Sequence, residues 1–303
     1  MKRNSILRSV ITAILCILLI PLLDGQKPVI VNSESVTFSN GQYDGFTLVI
    51  PEVSYDEAAK AWIKVLEKGS KSKVVIENGE YSIQEAQISD IREQPLSVFS
   101  ILSMKDSSIL VKVAFEIDSN VFISRGQSEK EFAQATQFLF EFGKEQYTNL
   151  AEKELKAEEK TQNSLEKELE SLQNAKTRLE KTIVDEEVNI LGYNDKITLL
   201  KQDAQNLNNK IGVEKNTLMN LSDEEAIKAK ESDIKDLEKS KDKVLKEIEN
   251  LQKDIVESNA KIDRSKLDIE SNIRDQSAKM AEIDKQKVNV SKAKNKLDAI
   301  LNF

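Results

Sequence analysis

From Leu165 onward, apolar side chains return at alternating steps of three and four residues. With Leu169 as position a of a heptad, the a series runs Leu169, Lys176, Ile183, Ile190, Ile197, Ala204, Ile211, Leu218. The d series runs Leu165, Leu172, Leu179, Glu186, Tyr193, Leu200, Leu207, Glu214, Leu221. Fourteen of these 17 positions are apolar or tyrosine in a chain that is 39% hydrophobic, so composition alone does not produce the repeat. A stripe of this period lies on one side of an α-helix, and a second helix is what covers it: this is a coiled-coil seam.

The repeat pauses at Asn220-Leu-Ser-Asp-Glu-Glu225, where Ser222 reads as an N-cap and Glu225 closes a capping box. A second seam runs through Ile227, Ile234, Leu237, Val244, Ile248, Leu251, Ile255 and Ile262. It then steps to Ile273, which reads as a stutter, and resumes at Met280, Ile283, Val290, Leu297 and Leu301. Two helices of similar length around one turn predict an antiparallel hairpin. Folding about Leu221 brings Leu297, Ile300, Leu301 and Phe303 back to Phe138, Phe140 and Phe142. Parallel pairing of two chains buries the same seams and stays open as the alternative. Glu186, Glu214, Lys176, Lys241, Lys287 and Lys294 interrupt the seams and read as register-fixing or cross-paired residues.

The chain before the repeat has a different grammar. All four prolines precede residue 96, and 14 of the 16 aromatic residues lie between Phe38 and Tyr147. Phe46, Leu48 and Ile50 alternate as in a half-buried strand that Pro51 ends. A helical pattern from Asp56 carries Ala59, Trp62, Ile63 and Leu66, and stops at Gly69. Strands are expected at Lys73–Glu77 and at Tyr81–Ile83, joined by a hairpin turn at Asn78-Gly79 and extending past a bulge over Ala86–Ile91. Ser97–Met104 and Ile109–Ile117 form another hairpin, and Val121–Ser124 a last short strand or turn. Ser128 and Glu131 then match a capping box that opens an aromatic helix, expected to pack on the sheet. The fold class is α+β: a small antiparallel-sheet head with the Trp62 helix on one face, then a long antiparallel helical hairpin. The divisions are 1–25, a signal peptide; 26–127, the head; and 128–303, the hairpin, with helices 128–220 and 223–302 and a turn at 220–223.

The signal reading rests on Lys2, Arg3 and Arg8 followed by the uncharged run Val10–Leu23. A spanning helix needs roughly 20 apolar residues, so this run is too short and fits an export signal cleaved near Gly25. The alternative is an uncleaved anchor through residues 10–23. Cys16 follows Leu15 and sits inside the run, so it reads as a small hydrophobe and not as a lipid attachment site. The expected location is exported, periplasmic or extracellular.

The chain has no histidine and one cysteine, which rules out histidine catalysis, a His/Cys metal cage and an internal disulfide. Its net charge of −8 disfavours nucleic acid as a partner. Glu158/Glu159 and Glu186/Glu187 read as solvated faces, because paired carboxylates need a partly dry cleft to work as acid and base. Ser70 and Lys73 match a Ser-x-x-Lys spacing, but the Ser-Asp-Asn and Lys-Thr-Gly companions are missing and the spacing recurs along the helices. Trp62 reads as core, and Lys68, Lys71 and Lys73 as charges completing a helix dipole. No catalytic, cofactor-binding or metal-binding residue is assigned, no cofactor is expected, and the chain is read as not an enzyme.

Gly45-Phe-Thr-Leu-Val-Ile50, Ala61-Trp62, Gly79-Glu-Tyr81, Val113-Ala-Phe-Glu-Ile117, Glu282-Ile-Asp-Lys-Gln-Lys-Val288 and Lys296-Leu297 resemble words of an uncharacterised family of exported bacterial proteins, of the Bacteroidota type. The resemblance implies export and a small α/β head before a long coiled coil. The functional expectation is a structural or interaction module of the cell envelope. Its head would bind a protein partner, and its coiled coil would space, recruit or self-associate. The alternative is a coiled-coil activator of an envelope or cell-wall enzyme.

Overall fold

The structure is a computed structural model that describes residues 28–126 and 128–303. The signal segment 1–25 and Cys16 lie outside the described residues. The described chain forms two compact units. One comprises residues up to Glu159 together with Val288–Phe303, and the other is Lys160–Lys287.

The first unit is built on a seven-stranded antiparallel sheet. Its elements are β1 (Ile30–Phe38), β2 (Gly41–Pro51), α1 (Tyr55–Glu67), β3 (Val75–Glu77), β4 (Glu80–Ala86), β5 (Leu96–Lys105), β6 (Ser108–Asp118) and β7 (Val121–Phe122). Two long helices follow, α2 (Glu129–Met219) and α3 (Glu224–Leu301). The strand order is β1-β2-β6-β5-β4-β3, with β7 pairing the end of β6. Asn78 and Gly79 both take positive φ, 55° and 84°, as the hairpin turn between β3 and β4 requires. The β4 extension expected over Ala86–Ile91 is not made. The strand bulges between Ile83 and Ala86, with Glu85 at φ 57°, and then leaves the sheet for a turn closed by Ile91 and Arg92 amides on the Ile88 carbonyl.

One sheet face holds the core: Phe46, Leu48, Ile50, Ile83, Val98, Val111, Val113 and Phe115 pack with Trp62 and Leu66 of α1. The aromatic start of α2 closes this layer as expected. Trp62 meets Phe142 edge-on at 5.0 Å, and Phe46 meets Phe132 at 5.2 Å. Gly143 is where the helix touches the sheet; a Cβ there would lie 2.7 Å from Val29 Cγ1 and 2.9 Å from Leu48 Cδ1. Ile300 of α3 is fully buried in the same core with Leu297 beside it, but Leu301 and Phe303 stay exposed.

Helix starts differ from the sequence reading. Ser54 is the N-cap of α1: its Oγ accepts from the Glu57 amide at 3.4 Å and donates to Glu57 Oε2 at 3.0 Å. The box expected at Ser128 is not made: its hydroxyl is buried without a partner among the described residues. Before α3 the cap is Asp223, not Ser222; its carboxylate accepts from the Ala226 amide at 2.9 Å.

In the second unit the covered positions of α2 keep the expected frame, among them Tyr193, Ile197, Leu200, Ala204 and Ile211. On α3 the expected stutter is absent. Covered positions alternate by three and four without a break: Ile248, Leu251, Ile255, Ser258, Ile262, Ser265, Ile269, Asn272, Gln276, Lys279, Ile283, Gln286. Ile273 and Met280 are exposed, one residue past the seam. Lys287 and Lys294 are also outside it, and Lys230 and Lys279 hold seam positions instead. The helices run antiparallel, with Glu186 meeting Ser258 and Lys261, and Lys215 meeting Glu238. Glu214 pairs with Lys230 at 2.8 Å and Lys241 with Asn208 at 2.7 Å, the cross-pairing that charged seam residues require.

Candidate functional site

The first unit gathers charge where α2 crosses α1 and the end of α3. The β2–α1 connection turns sharply after Pro51, with Glu52 at φ 63° and its amide donating to the Ser107 carbonyl at 2.7 Å. That turn aims the Glu52 carboxylate at Lys296 Nζ, 2.5 Å away, and Glu154 of α2 takes the same ammonium at 2.7 Å. Lys296 also lies over the Tyr147 ring, 5.5 Å from its centroid. Burial alone would lower the Lys296 pKa, but the Glu154 and Glu52 carboxylates outweigh it and hold the ammonium above the ordinary lysine value. Burial also raises the Tyr147 phenol, whose hydroxyl has no partner among the described residues.

Beside this cluster a groove of about 500 Å³ opens between α1 and α2. Its floor is Val53 and Leu150, and its walls carry Lys60, Lys153, Lys156, Gln146, Asn149, Glu57 and Glu152. Lys153 holds Glu57 at 2.6 Å, and that bond, with the Ser54 hydroxyl, keeps the Glu57 carboxyl below its ordinary range. Three lysines, two glutamates and two amides over an apolar floor give the groove a mixed polar rim.

The opposite sheet face has its own small cluster. Val36, Phe38, Ala114 and Phe122 are buried there with Tyr43, Phe99 and Ile101 against them, and Tyr43 stacks on Phe122 at 4.3 Å. Gly45 allows this packing, since a Cβ would meet Val36 Cγ2 at 2.6 Å.

The residues weighed from sequence fall into structural roles. Trp62 is fully buried, and its Nε1 donates to Ser100 Oγ at 2.8 Å. Ser70 Oγ donates to the Leu66 carbonyl and accepts from the Gln87 amide, while Lys73 bonds Glu67 at 2.9 Å. Ser70 and Lys73 are therefore engaged with different groups. Glu186 accepts from Ser258 at 2.7 Å and Lys261 at 3.0 Å, and these bonds lower its pKa. The groove residues gave no signal in the sequence, because Lys, Glu, Gln and Asn at helical spacing describe any solvated face. Among the described residues no group of three or more His, Cys, Asp or Glu side chains is placed to hold a metal ion. No described helix is long and apolar enough to cross a membrane. No protein-family model matches the chain, and no curated protein matches it.

Proposed function

We propose that the chain is an exported structural or interaction module of the cell envelope, without enzymatic activity of its own. Its sheet unit captures a protein partner at the α1–α2 groove, and its helical hairpin acts as a coiled-coil spacer or recruiter. The observation that carries this reading is the second unit, a hairpin whose covered positions follow heptad spacing over the whole of Lys160–Lys287. A fold that devotes this much chain to one narrow seam gives most of its side chains to the surface, which suits contact between proteins. The charged run before Val10–Leu23 and the resemblance to exported Bacteroidota-type proteins support the location.

The test places a photo-crosslinking residue at Lys60, at Lys156 and at Leu221 in living cells. Reproducible crosslinks from Lys60 or Lys156 to one envelope protein are expected, and their loss on Lys153→Glu locates the contact in the groove. Absence of any envelope adduct from all three positions overturns the reading. Altered cell separation or lysis on deletion would move it to the second one, an activator of a cell-wall enzyme.

A further inference from the structure

The hairpin unit carries exposed apolar side chains on one flank. Val184 and Leu191 of α2 and Val256 of α3 are each more than half exposed. They lie at one level, because the seam contact between Glu186 and Ser258 brings those stretches together. The Lys215–Glu238 bridge, both residues one step past a d position, shows that the e positions of the two helices share this flank. On α2 the e positions are Glu166, Gln173, Glu180, Glu187, Asn194, Lys201, Asn208 and Lys215, all exposed. The b positions beside them include Thr177, Val184, Leu191, Thr198 and Gln205.

This series is complementary to itself when reversed. About a midpoint between Ile190 and Leu191, an antiparallel copy sets Glu166 against Lys215, Gln173 against Asn208, Glu180 against Lys201 and Glu187 against Asn194; Lys215 and Asn208 also hold Glu238 and Lys241 within the chain. The b positions, offset from that register by one residue, then bring Leu191 near Leu191, Val184 near Thr198 and Thr177 near Gln205. Two pairs are acid with base, one is amide with amide and one is acid with amide, and Leu191 falls at the centre. An isologous contact needs this self-complementarity, because residue i must suit j as j suits i.

We propose that a second copy of this chain docks on this flank, α2 antiparallel to α2, with Leu191 beside the two-fold axis. The proposal rests on reading the chain as an interaction module and specifies one of its partners. It fails separately from that reading, since a monomer could still give the envelope crosslinks.

The test is sedimentation equilibrium of the purified exported protein across a wide concentration range. A reversible dimer is expected, and Leu191→Asp should make it monomeric. Glu180→Lys or Lys201→Glu alone should weaken dimerisation about tenfold, since each removes two exposed ion pairs and adds like-charge contacts. The double variant E180K/K201E should recover most of that loss. All three positions are exposed, so helix content by circular dichroism should stay unchanged. A chain that is monomeric throughout overturns the proposal. A dimer indifferent to L191D, or one that the charge swap does not restore, overturns it equally.

Discussion

Lys296 shows how one side chain can join three elements. It takes Glu52 from the turn after β2 and Glu154 from α2, and itself sits near the end of α3. Its side chain is only 21% exposed, while the glutamates are about twice as open. Removing the ammonium would leave two carboxylates facing each other across a half-dry site. Lys296→Met should therefore cost about 1–2 kcal/mol near neutral pH in urea unfolding. The pH dependence follows from the raised pKa. The contribution is complete below the ordinary lysine value of 10.5 and is lost as pH rises through the higher folded value. The stability gap between wild type and K296M should be flat at neutral pH and close in strong alkali; a gap that stays open in strong alkali would contradict this assignment. Nothing in the sequence announced the cluster, because its members come from positions 52, 147, 154 and 296 and only the fold brings them together.

At the scale of elements, legibility followed whether both seam positions were apolar. On α2 they mostly are, and the frame read from sequence is the one that is covered. On α3 from Ser258 to Gln286 every d position is polar: Ser258, Ser265, Asn272, Lys279, Gln286. A reading that follows hydrophobic residues then slips one place to Ile273 and Met280, which are exposed. In the sheet, Asn78-Gly79 gave its hairpin because few residues accept two positive φ values in a row. Strand β1 went unread: it is an edge strand, paired only with β2, and its middle, Asn32–Ser35, is polar. The helix caps failed for a related reason. Ser-x-x-Glu recurs in a Ser- and Glu-rich chain, and only the path of the preceding loop decides which serine turns back on its helix. The polar d stripe should also weaken its half of the hairpin. Amides along Leu165–Glu186 and Ser258–Gln286 should exchange faster than those along Tyr193–Ala204 and Val244–Ile255, where Ile197, Ile248 and Leu251 form a dry cluster. Asn272 donates to the Leu172 carbonyl at 3.0 Å, a bond a leucine would replace with packing. Asn272→Leu should raise hairpin stability by about 1 kcal/mol and slow exchange locally; a destabilised variant would show that the bond outweighs the packing.

For the whole molecule, the two units differ in how much they bury. The sheet unit holds nearly all the fully buried large side chains, Trp62, Phe46, Phe115 and Tyr147 among them, while the hairpin keeps most seam residues partly open. Trp62 is the chain's one tryptophan and reports only the sheet unit, whereas far-ultraviolet circular dichroism is dominated by the two long helices. In urea the dichroism change should begin first and the fluorescence change should follow, with separate midpoints. Coincident curves would show the chain to be a single cooperative unit.

The unbroken three-four alternation of both arms also restricts how such a chain can change length over evolutionary time. An insertion of one or two residues in either arm would rotate everything beyond it off the seam. An insertion of seven in one arm alone would leave its facing layers without counterparts. Viable length variants must therefore gain or lose whole heptads in both arms together, so the hairpin changes length in discrete paired steps, whereas the loops of the sheet unit can vary a residue at a time.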